Sequence, residues 1–234
     1  MAAPPAPPAP PAAAAEPSGR SDFDKRFRSS VDFRGLMIHQ EPAQSIDNET
    51  LDTGCTVWNA SKVAAEFVMD APALVKGAHV LELGAGTGLA GLACAAAGAA
   101  RVVLSDMPHR LPLLRKNIRA NNWVSIFGAC AVEAATLDWD GPLDEVTGVV
   151  DAQPLDLIVG ADLIHEVEHT IGLAKVFRRL FEMRPRAQLL WVQEAHNAMA
   201  VASLRRALVE SVGLELEQRG SFGARGTVTV GRLR

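Results

Sequence analysis

The stretch that decides the fold is Val80-Leu81-Glu82-Leu83-Gly84-Ala85-Gly86-Thr87-Gly88. It begins as a short apolar strand, turns through three glycines, and leads into the alanine-rich residues 89–97, which we predict to be a helix closed by Gly98. Glycines let a backbone approach a ligand without an intervening Cβ, and the free N–H groups of the following helix point at that ligand. The stretch therefore predicts a ligand-binding strand–loop–helix unit in preference to a plain turn.

On both sides of this unit, strands and helices alternate. The pattern predicts helices over 61–69, 111–121, from Asp162 to about Glu182, and 198–212, and strands over 101–104, 129–137, 155–159, 188–192, 214–217 and 227–230. Short apolar strands separated by helices indicate a mostly parallel sheet covered on both faces. No long helix separates the last two strands, which favours an antiparallel hairpin at one edge. The expected fold class is thus α/β, a doubly wound sheet with an antiparallel C-terminal edge hairpin.

Composition excludes several classes of protein. Of 234 residues, 48% are hydrophobic and 21% charged, which allows a core and excludes global disorder. No uncharged apolar run is long enough for a transmembrane helix. The formal net charge of −4 argues against direct nucleic-acid binding. Cys55, Cys94 and Cys130 lie far apart without a CxxC motif, so we expect a reducing compartment, the cytoplasm with the nucleus as an alternative.

The N-terminal residues differ in composition from the rest. Residues 1–19 hold seven prolines and eight alanines, and proline removes backbone donors. We expect a disordered tail over 1–30 and a single domain over 31–234. The tail lacks the charged start and apolar block of a signal peptide, and an organelle transit peptide is the less favoured alternative.

The ligand class follows from the residues around the glycine loop. A Walker loop is excluded because no Gly-Lys-Ser/Thr follows, and a dinucleotide GxGxxG fails from Gly84 because Leu89 takes its last position. From Gly86 the pattern matches through Gly88 and Gly91, but that register begins two residues late after the strand. Asp106 closes the next strand, the place of a carboxylate that binds ribose hydroxyls. NAD and S-adenosylmethionine both remain open at this point. Glu82, inside an apolar strand, requires a polar partner such as an ammonium group or a loop amide.

These motifs resemble a known family. Glu82-x-Gly84-x-Gly86-x-Gly88 followed by Asp106 resembles the class I, seven-strand methyltransferases. Three further motifs narrow the resemblance to methyltransferase family 16, best known as protein-lysine methyltransferases. They are Val57-Trp58, Leu137-Asp138-Trp139 and Asp156-Leu157-Ile158-Val159-Gly160-Ala161-Asp162. The resemblance covers about residues 50–234. It implies a Rossmann-like seven-strand sheet, S-adenosylmethionine as the cofactor, and a side-chain nitrogen of a partner protein, first of all lysine, as the methyl acceptor.

The resemblance also implies roles for individual residues. The residues implied to contact the methionine half of the cofactor are Trp58, Gly84, Ala85 and Gly86, with Glu82 near its amino group. Those implied to contact the adenosine half are Asp106 at the ribose, Met107 on one face of the adenine and Trp139 beside it. Ala161 is implied to line the methyl donor's pocket, and Asp162 to stand at its mouth, where the substrate nitrogen enters.

One departure leaves the acceptor open. The family usually shows Asp-x-x-Tyr or Asp-x-x-Phe after the fourth strand, whereas this chain has Asp162-Leu163-Ile164-His165. An imidazole therefore replaces an aromatic wall. Asp162 and His165 are the expected catalytic residues, which would orient the nitrogen and favour its reactive protonation state. An arginine methyltransferase and a cofactor-binding scaffold with weak catalysis remain alternatives.

A competing motif overlaps this segment. His165-Glu166-Val167-Glu168-His169 matches the zinc motif HExxH, which on a helix would place both imidazoles on one face. Lys175 stands where the longer form of that motif has its third histidine. A zinc hydrolase is therefore only a remote alternative, and we expect no metal ligands here. For His196 and Asn197, after the fifth strand, a cap or loop role is favoured over a place in the substrate cleft.

Overall fold

A computed structural model describes residues 29–41, 44–45, 51–52, 54–121, 128–150 and 154–234 of the chain. The predicted N-terminal tail over 1–30 lies outside the described residues except for Ser29 and Ser30, and Ser30 opens the first strand.

The secondary structure alternates as the sequence predicts. The strands are β1 Ser30–Phe33, β2 Leu36–His39, β3 Gln44–Ser45, β4 Leu51–Asp52, β5 His79–Leu83, β6 Arg101–Asp106, β7 Ala131–Thr136, β8 Leu157–Ala161, β9 Gln188–Glu194, β10 Leu214–Phe222 and β11 Gly226–Leu233. The α-helices are α1 Asn59–Asp70, α2 Leu89–Ala96, α3 Leu111–Asn121, α4 Asp144–Val150, α5 Thr170–Met183 and α6 Ala198–Ala207, the last continued by a π-helical turn over Leu208–Val212. Both C-terminal strands are longer than predicted.

Seven strands form one sheet in the order β10-β11-β9-β8-β5-β6-β7. The five strands from β5 to β9 pair in parallel, and β11 pairs antiparallel with both β9 and β10. The chain builds outward from β5 through β6 to β7, then returns to β8 on the other side of β5. Ligands of doubly wound sheets bind at such a reversal, beyond the carboxyl ends of the strands. The fold class is confirmed, including the edge hairpin.

The sheet is buried on both faces. Val80 of β5 packs in the core that α1, α2 and α3 cover, whereas its neighbour Leu81 packs in the core that α5 and α6 cover. Side chains of successive strand residues point to opposite faces, so a strand covered on both sides must be apolar throughout. This burial explains why β8 is a continuous apolar run and why the buried Glu82 in β5 is exceptional.

Two local predictions fail. The helix expected directly after Asp162 begins only at Thr170, so the HExxH segment His165–His169 lies in a loop and the expectation that both imidazoles share a helix face is wrong. The β1–β2 hairpin, which turns at Arg34 and Gly35 with φ of +52° and +89°, falls in a segment that sequence patterning left without structure. Within the described residues, no helix is both long and apolar enough to cross a membrane.

Candidate active site

A pocket opens at the carboxyl ends of β5 and β8, where the strand order reverses. Its lining includes eight of the eleven predicted site residues: Trp58, Glu82, Gly84, Ala85, Gly86, Ala161, Asp162 and His165. The other residues that line the pocket are Gly54, Thr56, Ser61 and Thr87. Residues that are 107 positions apart in the sequence, from Trp58 to His165, thus meet because the parallel strands deliver their ends to one edge.

The glycine loop has a backbone that only glycine adopts readily. Gly84, Gly86 and Gly88 have φ of +56°, +54° and +82°. A Cβ on Gly86 would also lie 2.8 Å from the carbonyl oxygen of Gly54. The loop is fixed by a hydrogen bond from the Ala85 N–H to the Ser105 carbonyl, at 3.0 Å. Both torsion and close approach therefore require glycine at position 86.

Asp106 joins the end of β6 to this loop. Its Oδ2 accepts a hydrogen bond from the Gly86 N–H and its Oδ1 one from the Met107 N–H, both at 2.7 Å. Burial raises the pKa of the Asp106 carboxyl, and the two backbone donors oppose that shift. Each oxygen of a carboxylate has two lone pairs, so both can still accept a ligand hydroxyl.

Trp139 borders the loop from the other side. A Cβ on Gly84 would lie 3.3 Å from two ring carbons of Trp139 and 3.1 Å from Leu163. Three predicted site residues do not line the pocket itself: Asp106, Met107 and Trp139. Asp106 and Trp139 adjoin the glycine loop directly, and Met107 is joined to it through Asp106. The structure therefore brings the whole predicted set to one place.

Glu82 is buried beneath the loop, with 2% of its surface exposed. Its Oε2 accepts a hydrogen bond from the Gly91 N–H, in the first turn of α2, at 2.9 Å. Burial raises the pKa of Glu82 to about 8; the charge of Asp106 adds to the shift and the Gly91 donor opposes it. The polar partner that the sequence requires is thus a helix amide rather than a loop amide.

Asp162 stands immediately after β8 and is strained and buried. Its φ is +54°, rare for a residue other than glycine, and its side chain is only 2% exposed. Oδ1 accepts hydrogen bonds from the Glu194 N–H at 2.8 Å and the Gln193 Nε2 at 3.1 Å. Oδ2 is buried and has no hydrogen-bond partner among the described residues. Burial raises the pKa of Asp162, and the nearby His196 and His165 oppose that rise.

Three rings surround the approach to Asp162. The ring centroids of Trp58, His165 and His196 lie 5.6–5.8 Å apart in all three pairs. His196 Nε2 lies 3.8 Å from Asp162 Oδ2 and 3.7 Å from Glu194 Oε2. An imidazole pair and an indole thus form the wall that a single tyrosine or phenylalanine would otherwise supply.

Sequence reasoning did not place Gln193, Glu194 or His196 in the site. Their position in the chain is what could have indicated them, because they end or follow β9, which lies beside β8 in the sheet. Asn197 has the expected cap role, because its Oδ1 accepts hydrogen bonds from the N–H groups of Met199 and Ala200 at 3.1 and 3.2 Å.

The two histidines of the HExxH motif have different surroundings. His165 contacts the ring of Trp58, whereas His169 Nδ1 lies 2.8 Å from Asp140 Oδ2 at the exposed start of α5. A zinc site built on that motif has no support in this arrangement.

A larger groove lies elsewhere. It has a volume of about 560 Å³ and runs between α5 and α6, where Lys175, Arg178, Arg179 and Arg206 are among its lining residues. None of the eleven predicted site residues lines it. We place the site at the smaller pocket because the carboxylates, the glycine loop and the strained Asp162 meet there.

The fold and the pocket define a class I methyltransferase. A solved structure of a ribosomal protein L11 methylase from Lactobacillus delbrueckii subsp. bulgaricus superimposes with a TM-score of 0.54, covering 83% of this chain and 91% of that one at 16% identity. At that identity the likeness concerns the fold.

The family follows from the sequence itself. Residues 38–201 match the profile described as lysine methyltransferase, so the chain belongs to that family, whose cofactor is S-adenosylmethionine. It is 26% identical to the protein N-terminal and lysine N-methyltransferase efm7 of Aspergillus fumigatus, over 73% of this chain and 76% of that protein. It is 34% identical to a calmodulin-lysine N-methyltransferase of Arabidopsis thaliana, over 74% of this chain but only half of that protein.

Proposed function

We propose that this chain transfers a methyl group from S-adenosylmethionine to the ε-nitrogen of a lysine in a partner protein. The observation that carries the proposal is the buried Oδ2 of Asp162 at the pocket, which has no hydrogen-bond partner among the described residues. A buried carboxylate oxygen without a donor costs free energy on the order of 1–3 kcal/mol or more. A substrate amine supplies the missing N–H donor and places its nitrogen at the pocket.

The residues around the glycine loop suit the cofactor. The carboxylate of Asp106, fixed by two backbone N–H groups, has lone pairs free for a ribose diol. We assign the ribose to Asp106, the adenine to Met107 and Trp139, and the methionine end to Trp58, Glu82, Ala161 and the loop residues Gly84, Ala85 and Gly86. When bound, S-adenosylmethionine supplies an activated methyl group, so the chain's own task is mainly alignment.

The chain must also deliver a neutral amine. An ammonium group has no lone pair, so the lysine loses a proton before it attacks. Asp162 orients the nitrogen through Oδ2, and the imidazoles of His165 and His196 lie beside it. The strained backbone of Asp162 holds its carboxylate in place before the substrate arrives.

Lysine is favoured over arginine by the geometry of Asp162. A guanidinium prefers two parallel hydrogen bonds to both oxygens of one carboxylate. Here Oδ1 already accepts two hydrogen bonds, from Glu194 and Gln193, and only Oδ2 is free. A compact amine matches one free oxygen better. A protein N-terminal amine has the same chemistry and is the second candidate, which the name of the Aspergillus relative also supports.

The test is methyl transfer into a cell extract with radiolabelled S-adenosylmethionine, followed by amino-acid analysis of the hydrolysed protein. We expect label in methyl-lysine, reduced about 100-fold or more in Asp162→Asn. The matched control is Asp156→Asn, at the opposite end of β8, where an exposed carboxylate accepts a hydrogen bond from the His79 N–H. Label in methylarginine would contradict the lysine assignment, and a wild type without activity would favour the scaffold alternative.

The setting of the reaction stays a proposal. Cysteine usage supports a cytoplasmic enzyme: no disulfide joins Cys55, Cys94 or Cys130 in the described structure. The net charge of −4 supports a protein rather than a nucleic acid as the partner.

A further inference from the structure

We infer that Asp162, Glu194 and His196 form a binding site for a divalent transition-metal ion of the Zn²⁺ type. Asp162 follows β8, Glu194 ends β9, and His196 lies two residues further on. Because β8 and β9 are neighbouring parallel strands, their carboxyl ends bring the three side chains together at the mouth of the pocket.

The distances suit a metal with three protein ligands. One ligand atom from each of Asp162, Glu194 and His196 lies within 4.8 Å of the other two. The imidazole nitrogen is 3.8 Å from the Asp162 oxygen and 3.7 Å from the Glu194 oxygen. Ligand atoms of a tetrahedral zinc ion with bonds of about 2.0–2.2 Å are about 3.4 Å apart. The site therefore needs to contract by only a few tenths of an ångström at its histidine.

The state of Asp162 points independently to a cation. Its side chain is 98% buried, yet Oδ2 has no hydrogen-bond partner among the described residues and faces His196. Its other oxygen is fixed by the Glu194 N–H and the Gln193 side chain. Hydrogen bonds of this kind orient a carboxylate ligand before the metal binds.

The donor types select the class of ion. Two carboxylates neutralise a dication, and a neutral imidazole favours Zn²⁺ over Mg²⁺ or Ca²⁺, which prefer oxygen ligands. With three protein ligands, a fourth position remains for water or another small ligand.

A second histidine–carboxylate group serves as the control. His169 Nδ1 lies 2.8 Å from Asp140 Oδ2, and its Nε2 lies 3.8 Å from Glu166 Oε2. All three of these side chains are 45–68% exposed, so this group has no buried carboxylate that lacks a partner. It shares the residue types of the proposed site but not its preorganisation.

Zinc binding itself does not depend on the proposed methyl transfer, but its consequence does. An ion on Asp162 Oδ2 occupies the position that we assign to the substrate amine. The ion and the amine would then exclude each other, and zinc would inhibit the transfer.

The experiment is a calorimetric titration of the full-length protein, stripped with EDTA and dialysed, with Zn²⁺ in a buffer that does not chelate it. We expect one saturable site per chain in the wild type, with the Kd raised at least about tenfold in His196→Gln and in Glu194→Gln. In His169→Gln the Kd should be unchanged. Wild type without a saturable site, or equal affinity in all three variants, would overturn the inference.

Two further readouts separate this inference from the proposed function. Thermal unfolding of the metal-free variants checks that each is folded; His196 and Glu194 are partly exposed, so glutamine should be tolerated. A parallel titration with S-adenosylmethionine, without zinc, tests the cofactor pocket alone. Cofactor binding without zinc binding overturns only the metal site, whereas zinc binding without cofactor binding counts only against the proposed function.

Discussion

At the scale of single residues, Glu82 carries an unusual electrostatic cost. It occupies an interior position of a parallel strand, where both neighbours in sequence, Leu81 and Leu83, are buried in the core. Among the described residues, the Glu82 carboxylate accepts one hydrogen bond, from the Gly91 N–H. One N–H group does not replace the hydration that a carboxylate loses on burial, which is why its pKa rises to about 8.

This residue gives a pH dependence with a defined sign. Between the ordinary pKa of about 4.5 and the folded value of about 8, the folded protein keeps a proton that the unfolded chain releases. The free energy of unfolding therefore falls as pH rises through this window, by up to about 1.4 kcal/mol per pH unit from this group. Glu82→Gln removes that contribution and leaves an acceptor for the Gly91 N–H.

The measurement is urea unfolding of wild type and Glu82→Gln at several values between pH 5 and pH 8. Asp106 and Asp162 have raised pKa values as well, so only the difference between the two proteins isolates Glu82. We expect the variant to gain stability relative to the wild type as pH increases. Parallel stability curves would show that Glu82 ionises normally.

The site residues differ in how far sequence could predict them. The glycine loop and Asp106 are linked through one strand–helix–strand unit, so their spacing along the chain carries the information. Gln193, Glu194 and His196 meet Asp162 only because β9 lies next to β8, a matter of sheet order rather than of spacing. No local pattern distinguishes these three residues from an ordinary strand end.

At the scale of elements, the β1–β2 hairpin is held by two asparagines of α3. The Met37 N–H and carbonyl both bond to Asn121, at 2.8 and 2.7 Å, and those of His39 both bond to Asn117, at 2.8 and 3.1 Å. Each amide thus satisfies the backbone as a neighbouring strand would. Asn117 also donates to the Thr87 carbonyl at 2.8 Å, which ties the hairpin and α3 to the glycine loop.

Removing one amide should therefore weaken the domain. Asn117→Ala leaves the His39 N–H and carbonyl and the Thr87 carbonyl without this partner, and each such group costs about 1–3 kcal/mol where it is buried. We expect a loss of about 2 kcal/mol or more in the free energy of unfolding, measured by urea denaturation. Asn59→Ala, at the exposed start of α1, should change stability by less than about 0.5 kcal/mol. Equal effects of the two substitutions would show that the hydrogen bonds of the Asn117 amide contribute nothing to the free energy of unfolding.

The two features that the sequence did not predict, the hairpin and the late start of α5, depend on contacts far along the chain. The hairpin strands have four residues each, too few for alternation to stand out, and besides pairing with β1, β2 bonds to two side chains of α3. At Asp162, where the sequence pattern starts a helix, the backbone has a positive φ that a right-handed α-helix does not adopt. That torsion is sustained by the bonds from β9 to Asp162 Oδ1, so it follows from tertiary structure.

At the scale of the whole molecule, the sheet order concentrates chemistry at one edge. The apolar residues of the strands form the core, while the carboxyl ends of the strands carry Gly84, Asp106, Asp162 and Glu194. Because these residues belong to four neighbouring strands of the core, a ligand that contacts several of them joins elements that unfolding separates. Cofactor binding should therefore stabilise the entire domain.

Cofactor binding raises both the free energy of unfolding and the Tm. A ligand that binds only the folded state, at about 100 times its Kd, adds about 2.7 kcal/mol to the free energy of unfolding. For a chain of this size that raises the Tm by about 5–10 °C. We expect this rise with S-adenosylmethionine and with S-adenosylhomocysteine, measured by differential scanning calorimetry, and none with NAD at the same concentration. NAD has the adenosine ribose, but the register of the loop that matches the dinucleotide spacing starts at Gly86, two residues late after the strand.

Two variants decide whether the shift comes from the predicted site. Asp106→Ala removes the carboxylate assigned to the ribose and should abolish the shift, while its own ligand-free Tm shows whether the domain is still folded. Asp70→Ala removes an exposed carboxylate at the end of α1, where it pairs with Arg34, and should retain the shift. A shift that survives in Asp106→Ala, or that NAD produces equally, would contradict both the assigned ribose contact and the choice of cofactor. A shift lost only in Asp106→Ala would tie cofactor binding to the carboxyl end of β6, which lies beside the reversal of strand order at β5.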